Sequence, residues 1–472
     1  MSFDAKAPVT NRSVLTVAVP IMLSNVSEPM IGVVNTAVIG QLDDPYYIGA
    51  IAVGALIFSF IFWSFGFLRL STGGLSAQAM GAGDRPELAA VLIRALMIAV
   101  AAGVLLILLA PLIREAGFGL IGGSPEIRQH GETYFNHRIW SAPAALANYC
   151  VMGWFIGQSR AGLAFLVQLF LNLTNMALSA LFVLHLGMTS DGVGLAALIA
   201  EWSAVTLALG LALVMLRGMN VRLSWARILD PVRLRRTLLM NADVMIRTLC
   251  LVFAFTWFTA RGARAGDVVV AANAVLLNLF QVAAYLIDGF AYASEALVGQ
   301  SVGARNRERF RAAIRLTSIW AMVLGVLCSL AIWFGGPWII DVMTVNAEVR
   351  EAARSYLPWA AAAPVLGVIC FQFDGIFTGA MATKDMRNMM IVSLGIFMLA
   401  WWLLETRFGN HGLWAALNIF FVARAVTFAS RMPSLEKRAF GSCFTMSISS
   451  RIKLLSHRRN KVNRRRKRYS RW

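Results

Sequence analysis

Apolar runs of about 20 residues, the length a helix needs to cross roughly 30 Å of hydrocarbon, recur along this chain from one end almost to the other. Twelve spans are expected, over 14–40, 48–72, 89–112, 132–157, 163–184, 192–216, 237–260, 268–298, 313–336, 350–380, 388–404 and 411–430. Lipid offers no hydrogen bonds to an open backbone, so each run must satisfy its own N–H and C=O groups as a helix, and the alternating pattern of a barrel strand does not occur. Composition agrees. Of 472 residues 58% are hydrophobic and 14% charged, with a mean hydropathy of +0.66, too little polar surface to coat a soluble globule of this size.

Lys and Arg between the spans set the expected orientation. With the N-terminus cytoplasmic, the inner connections before the tail hold 17 cations, among them six Arg between 217 and 236 and five between 305 and 315, against 7 on the other side. The positive-inside rule then places both termini in the cytoplasm. No cleavable signal peptide is expected, because the first apolar run continues without a small-residue cleavage pattern. Cys150, Cys250, Cys328, Cys370 and Cys443 stand singly, which suggests neither a disulfide framework nor a metal site.

The formal net charge of +19 is mostly a property of the tail, where 14 Lys and Arg from Arg431 onward face one acid, Glu436. Clustered cations attract anionic lipid headgroups or RNA alike, but the tail is poor in apolar residues and has no RNA-binding motif. A solvated cytoplasmic extension is expected, with no nucleic-acid partner.

A repeat organises the rest. AIAVGALIFSFIFWSFGFLRLSTGGLSAQAMGAGD at 50–84 aligns without a gap on ANAVLLNLFQVAAYLIDGFAYASEALVGQSVGARN at 272–306, putting Gln78 on Gln300 and Gly81 on Gly303. The same offset of 222 puts Glu126 on Glu348, Arg128 on Arg350, Tyr134 on Tyr356, Gly153 on Gly375 and Gly157 on Gly379. The expected fold class is therefore an all-α integral membrane protein of twelve transmembrane helices in two six-helix repeats. The expected division is an N-terminal lobe over 1–216, a cytoplasmic linker over 217–236, a C-terminal lobe over 237–430 and a basic cytoplasmic tail over 431–472. An even number of helices per repeat makes the repeats parallel, as in many secondary transporters.

Acids have accumulated in the second repeat: opposite Asp288, Glu295, Asp374 and Asp243 the first has Gly66, Gly73, Met152 and Ile21. Asn278, Gln281, Tyr285, Asp288, Tyr292 and Glu295 follow at steps of three and four, one polar stripe along the eighth span. Facing lipid it would be costly, so it should face a water-filled cavity or other helices. A carboxyl removed from water resists ionisation, and can exchange a proton or take a cation where its neighbours favour one. The plain alternative is structural, a carboxylate holding helices together through Arg247 or Arg424. On the cation-site reading, neutralising Asp288 or Asp374 should cost little folding energy.

SNVSEPMIGVVNTAVIGQL (24–42), LRLSTGGLSAQAMGA (68–82), LIDGFAYASEALVGQSVGA (286–304) and FDGIFTGAMATKDMRN (373–388) resemble the multidrug and toxin extrusion (MATE) family, and most closely its DNA-damage-inducible F branch. The resemblance covers about 10–430. It implies two six-helix lobes around a V-shaped cavity in a bacterial inner membrane, exporting organic cations, drugs or toxic metabolites in exchange for H⁺ or Na⁺, with no other cofactor. By the same resemblance Asp374, Asp288 and Glu295 match acidic positions of the second lobe. With Glu28 and Asp243 they make up the coupling set, while Asn35, Asn278, Gln281, Tyr285, Tyr292 and Arg247 line the substrate cavity. The partners expected are a small cationic or amphipathic substrate and the bilayer, and the protein is expected to be monomeric.

This chain departs from the family pattern in the first span, where Asn35 stands at a position typically Asp. An amide cannot titrate. Glu28, seven residues earlier on the same face, is the substitute carboxyl or else a packing acid beside Pro29. Two other functions compete. An intramembrane enzyme is disfavoured because the five His are scattered and no nucleophile–base set is apparent. A lipid-linked oligosaccharide flippase should have a cationic cavity, and Arg69, Arg247 and Arg424 keep that alternative open. An ATP-driven pump lacks a phosphate-binding loop.

Overall fold

A computed structural model describes residues 7–42, 44, 46–122, 124–220 and 224–441, except for the side chains of residues 28 and 33. These residues form helices and connections, with no strand among them. In chain order they are α1 (Asn11–Ile39), α2 (Tyr46–Ser64), α3 (Phe67–Gly81), α4 (Arg85–Leu108), α5 (Ala110–Ile121), α6 (Pro125–Arg138), α7 (Ala142–Gly157), α8 (Ala161–Ala180), α9 (Ser190–Gly218), α10 (Trp225–Ile228), α11 (Pro231–Arg264), α12 (Asp267–Gly303), α13 (Arg307–Met343), α14 (Ala347–Gly379) and α15 (Thr383–Phe440).

Eleven helical segments among the described residues are long and apolar enough to cross a bilayer. The last, 58 residues long, is two helices joined at Gly409, whose φ of 55° and ψ of −132° are not helical, and it corresponds to the expected spans 388–404 and 411–430. Three expected runs are interrupted, the run over 132–157 by a short turn at Ile139–Ser141 between α6 and α7. The run over 48–72 breaks at Phe65 and Gly66 between α2 and α3, and the run from 89 stops at Leu108 because Pro111 opens the next helix, α5. By contacts the chain divides into Met1–Ala429 and Ser430–Trp472. Of the expected tail, residues 442–472 lie outside the described residues, as does Cys443. The other four Cys are free thiols.

The duplication is written in the backbone. Asp84 caps α4 by accepting from Glu87 N–H at 3.0 Å, and its counterpart 222 positions on, Asn306, caps α13 by accepting from Arg309 N–H at 2.9 Å. Ser124 and Asn346, related by the same offset, cap α6 and α14. Left-handed residues repeat as well: Gly83 and Arg305 (φ 68° and 52°), Ser159 and Met381 (58° and 54°), Gly187 and Gly409 (66° and 55°). Each pair fixes where one helix stops and the next turns back.

Glycine permits the closest approaches. A Cβ on Gly81 would strike the carbonyl of Gln300, and one on Gly303 the carbonyl of Gln78. A Cβ on Gly153 would meet the Arg69 carbonyl and one on Gly375 that of Ala291, again 222 apart. Within each half, α7 against α3 and α14 against α12 are thus in backbone contact. Across the halves, α3 meets α12 at the ends of both helices.

Candidate functional site

Hydrogen bonds between the halves gather where α3, α7, α12 and α14 end. Gln78 Nε2 donates to the Gly379 carbonyl at 3.0 Å, while Gln300 Nε2 donates to the Gly157 carbonyl at 3.0 Å and to Ser159 Oγ at 2.8 Å. At the start of α1, Asn11 Oδ1 accepts from Trp320 Nε1 at 3.1 Å. Polar ties at the opposite end, such as Arg128 with Glu115 (2.7 Å) and Arg354 with Asp341 (2.6 Å), stay within one half. The polar stripe of α12 runs between these ends. Asn278 is exposed, Gln281, Tyr285 and Asp288 are half-buried, Tyr292 is 9% exposed and Glu295 1%. Burial deepens along the stripe toward the end where the halves touch.

α1 approaches this stripe closely. Asn25 Nδ2 donates to the Tyr285 carbonyl at 3.1 Å, and Gly289 leaves room for Met22 and the Ala18 carbonyl. From the first half Arg69 reaches Tyr292, donating to its hydroxyl and lying 4.5 Å from the ring centroid. One turn deeper, the Glu295 carboxylate fills the space a Cβ on Gly73 would need, and its Oε2 has no hydrogen-bond partner among the described residues. Asp288 carries no hydrogen bond or ion pair among the described residues, though it lies within electrostatic range of Arg69, Arg247, Arg424 and Asp374.

Asp374 is placed differently. Its Oδ2 accepts from Arg247 of α11 at 3.0 Å and from Arg424 of α15 at 2.6 Å. Arg424 is fully buried, its guanidinium carbon 5.8 and 5.5 Å from the Phe371 and Phe420 ring centroids. The structural pairing anticipated through Arg247 or Arg424 is present here through both. Asp243 stands apart, accepting from Arg387 at 2.7 Å and from Thr383 Oγ1 at 3.0 Å, and so fastens α11 to the start of α15. No group of three or more His, Cys, Asp or Glu with metal-holding geometry occurs among the described residues.

In the first half, Asn35 is buried and donates from Nδ2 to Asn175 Oδ1 at 3.5 Å, while its own Oδ1 has no partner among the described residues. Beside it Asn172 Nδ2 donates to Ser27 Oγ at 2.8 Å and accepts from Gln168 at 2.9 Å. Of this neutral network between α1 and α8, Asn35 is among the residues expected to form the site, and Ser27, Gln168, Asn172 and Asn175 are not. Gln168, Asn172 and Asn175 follow at steps of four and three, a face readable in the eighth helix but inconspicuous in a run with no charge. The Glu28 side chain lies outside the described residues.

Two repeats of membrane-crossing helices, in contact at one end and carrying a polar stripe between them, are the architecture of a polytopic membrane transporter. The MatE family model matches residues 20–181 and 244–402, once in each half. The chain is 38% identical over 432 residues to DNA damage-inducible protein F of Escherichia coli, covering 89% of this chain and 92% of that one. It is 23% identical over 402 residues to the probable multidrug resistance protein NorM of Acinetobacter baylyi, covering 83% and 86%. A solved outward-facing multidrug resistance MATE transporter of the MOP superfamily superposes with a TM-score of 0.82 at 18% identity, over 90% of this chain and 97% of that one. The chain belongs to the MatE family of multidrug and toxin efflux transporters.

Proposed function

We propose that the chain is a secondary active antiporter of a bacterial inner membrane, exporting organic cations, drugs or toxic metabolites in exchange for H⁺ or Na⁺. Two lobes, 1–216 and 237–430, would rock about a shared cavity, joined by 217–236 on the cytoplasmic side, with both termini on that side and the protein acting as a monomer. The excess of cations at the end where the halves touch supports this orientation. The conformation is then closed to the cytoplasm and open outward.

One observation carries the reading. Asp288 stands half-buried on the polar stripe and without a bonded partner among the described residues, while Asp374 nearby is neutralised by two arginines. An unpaired carboxylate on a cleft wall is the group that a proton, a Na⁺ or a cationic substrate would compete for. Glu295 is the second candidate, and Asp374 tunes the field around both. Asp243, held by Arg387, fits a structural tie better than a coupling site. The neutral amides of Asn35, Asn172 and Asn175 suit hydrogen bonding to substrate.

The flippase alternative requires cations free to grip a diphosphate. Arg247 and Arg424 are engaged on Asp374 and Arg69 on Tyr292, which favours the antiporter. The test is efflux of a cationic dye panel from proteoliposomes under separately imposed pH and Na⁺ gradients. Dye movement that ignores both gradients would sink the proposal.

A further inference from the structure

Tyr292 has Asp288 four residues before it and Glu295 three after, so the two acids flank it on one face of α12, one turn above and one below. The cation that meets this face at Tyr292 comes from the other half. Arg69 donates to the Tyr292 hydroxyl, stacks over its ring at 4.5 Å, and lies within electrostatic range of both Asp288 and Glu295. Arg247 and Arg424 are bonded to Asp374 and reach Asp288 only through space, and the cation that acts on Glu295 is Arg69.

The backbone of Arg69 is fixed to the first half, because its carbonyl abuts Gly153 of α7 with no room for a Cβ between them. Its side chain alone crosses. Four residues on, Gly73 packs against the Glu295 carboxylate, so both contacts belong to the same α3–α12 seam that Gln78 and Gln300 close. Any motion that opens this end separates α3 from α12 and must carry Arg69 away from Tyr292.

We propose that Arg69 is a state-dependent counter-cation: it compensates the α12 acids while this end is closed, and its withdrawal on opening obliges Glu295 and Asp288 to take up a cation from solution. Arg69 is thus a positioning residue that ties conformation to cation demand. A closed state without Arg69 would bury Glu295 with no compensating charge, which is costly, whereas a neutral amide at 295 needs none. Removing Arg69 therefore destabilises the closed state only when residue 295 is acidic. This deepens the antiport reading, which dye efflux tests separately, because the measurement here is of conformation alone.

The experiment is a double-mutant cycle read by distance. Spin labels at Arg85→Cys and Glu308→Cys, exposed at the starts of α4 and α13, report the closed-to-open ratio of this end in full-length protein whose Cys250 and Cys443 are replaced by Ser. Arg69→Gln is expected to lower that ratio at least tenfold in the Glu295 background and less than threefold in the Glu295→Gln background. Arg69→Lys, which keeps the charge, should stay within threefold of the unmodified protein, as should Tyr292→Phe, which removes only the hydroxyl. Equal shifts in both backgrounds would show Arg69 acting by packing and overturn the proposal. So would an unchanged ratio in Arg69→Gln, or a Tyr292→Phe effect as large as that of Arg69→Gln.

Discussion

Gln78 donates to the carbonyl of Gly379 over the same 3.0 Å at which Gln300, its counterpart 222 positions later, donates to the carbonyl of Gly157. The two acceptors are themselves related by that offset. Each half thus inserts one amide into the end of the other, and the closed end is held by a local two-fold pair. Hydrogen bonds of this kind contribute about 1 kcal/mol each, enough to weight a two-state equilibrium by several fold without locking it. The Gln300 amide has a second acceptor in Ser159, so the pair is unequal.

That inequality is testable. Gln78→Ala and Gln300→Ala should each raise the alkylation rate of a buried Ser76→Cys probe, about fivefold for Gln78 and more for Gln300, from the loss of roughly 1 kcal/mol per bond. Ser76 is fully buried beside Gly157 in this conformation. Equal increases would mean that the Ser159 bond adds nothing, and unchanged labelling rates would mean that glycine packing, not the amides, holds the end shut.

Glycine packing has its own test. Gly375→Ala drives a methyl into the Ala291 carbonyl, whereas Gly395→Ala meets nothing within 4 Å. The first should destabilise by about 1–3 kcal/mol, and the second should stabilise by about 0.5–1 kcal/mol through helix propensity. Thermal unfolding in detergent reads both, and opposite signs are expected.

Arg305 holds a left-handed φ of 52° where its counterpart is Gly83. A non-glycine residue there costs about 1–2 kcal/mol. Because Arg305 is exposed, Arg305→Gly should raise the unfolding temperature by relieving about 1 kcal/mol, after allowing for the extra chain entropy of glycine. A lowered unfolding temperature would mean that the Arg305 side chain contributes more than its backbone costs.

Asp374 separates two roles that look alike in sequence. Asp374→Asn leaves Arg247 and the fully buried Arg424 without a carboxylate, a loss of about 3–5 kcal/mol for a broken buried ion pair. Asp288→Asn removes no bond made by described residues and should cost less than about 1 kcal/mol. The ion pairs of Asp374 therefore lead us to expect that only the Asp288 substitution spares stability. Melting curves of the two variants, alongside dye efflux at matched expression, check the split. Similar unfolding temperatures would mean that the arginines find other partners.

Much of this architecture could be read from residue order because the duplication left aligned marks: Gln on Gln, Gly on Gly, and Asp243, Asp288, Glu295 and Asp374 set against Ile21, Gly66, Gly73 and Met152. The offset also predicts features that no motif advertises, such as Ser159 and Met381 sharing a left-handed conformation without a glycine between them. What residue order left open was partnership. Asp374 and Arg424 are 50 positions apart and Arg247 is 127 positions from that acid, and helical spacing says only which face each occupies. Asn172 and Asn175 were hidden for a different reason, since single amides scarcely lower the hydropathy of a span and carry no charge to draw notice.

Asn35 is the sharpest case, because the position typical of an acid in the family holds an amide here. Its Nδ2 reaches Asn175 at 3.5 Å, a long bond, and its Oδ1 is unpartnered among the described residues, so the side chain is loosely held and contributes little to the fold. If coupling rests on α12, Asn35→Ala should reduce dye efflux by no more than about threefold, the worth of one weak hydrogen bond of under 1 kcal/mol, while Asp288→Asn abolishes gradient-driven export. Asn35→Asp should be tolerated, because the Asn175 amide can turn its donor toward the new carboxylate. It should also make export more steeply dependent on external pH, since it adds a titratable carboxyl to a half whose described site residues include none. The competing arrangement makes Asn35 an indispensable element of a first-lobe site, where its loss would equal the loss of Asp288. Efflux measured against external pH for the three variants at matched expression decides between them. If Asn35→Ala is as inactive as Asp288→Asn, the second-lobe assignment is wrong.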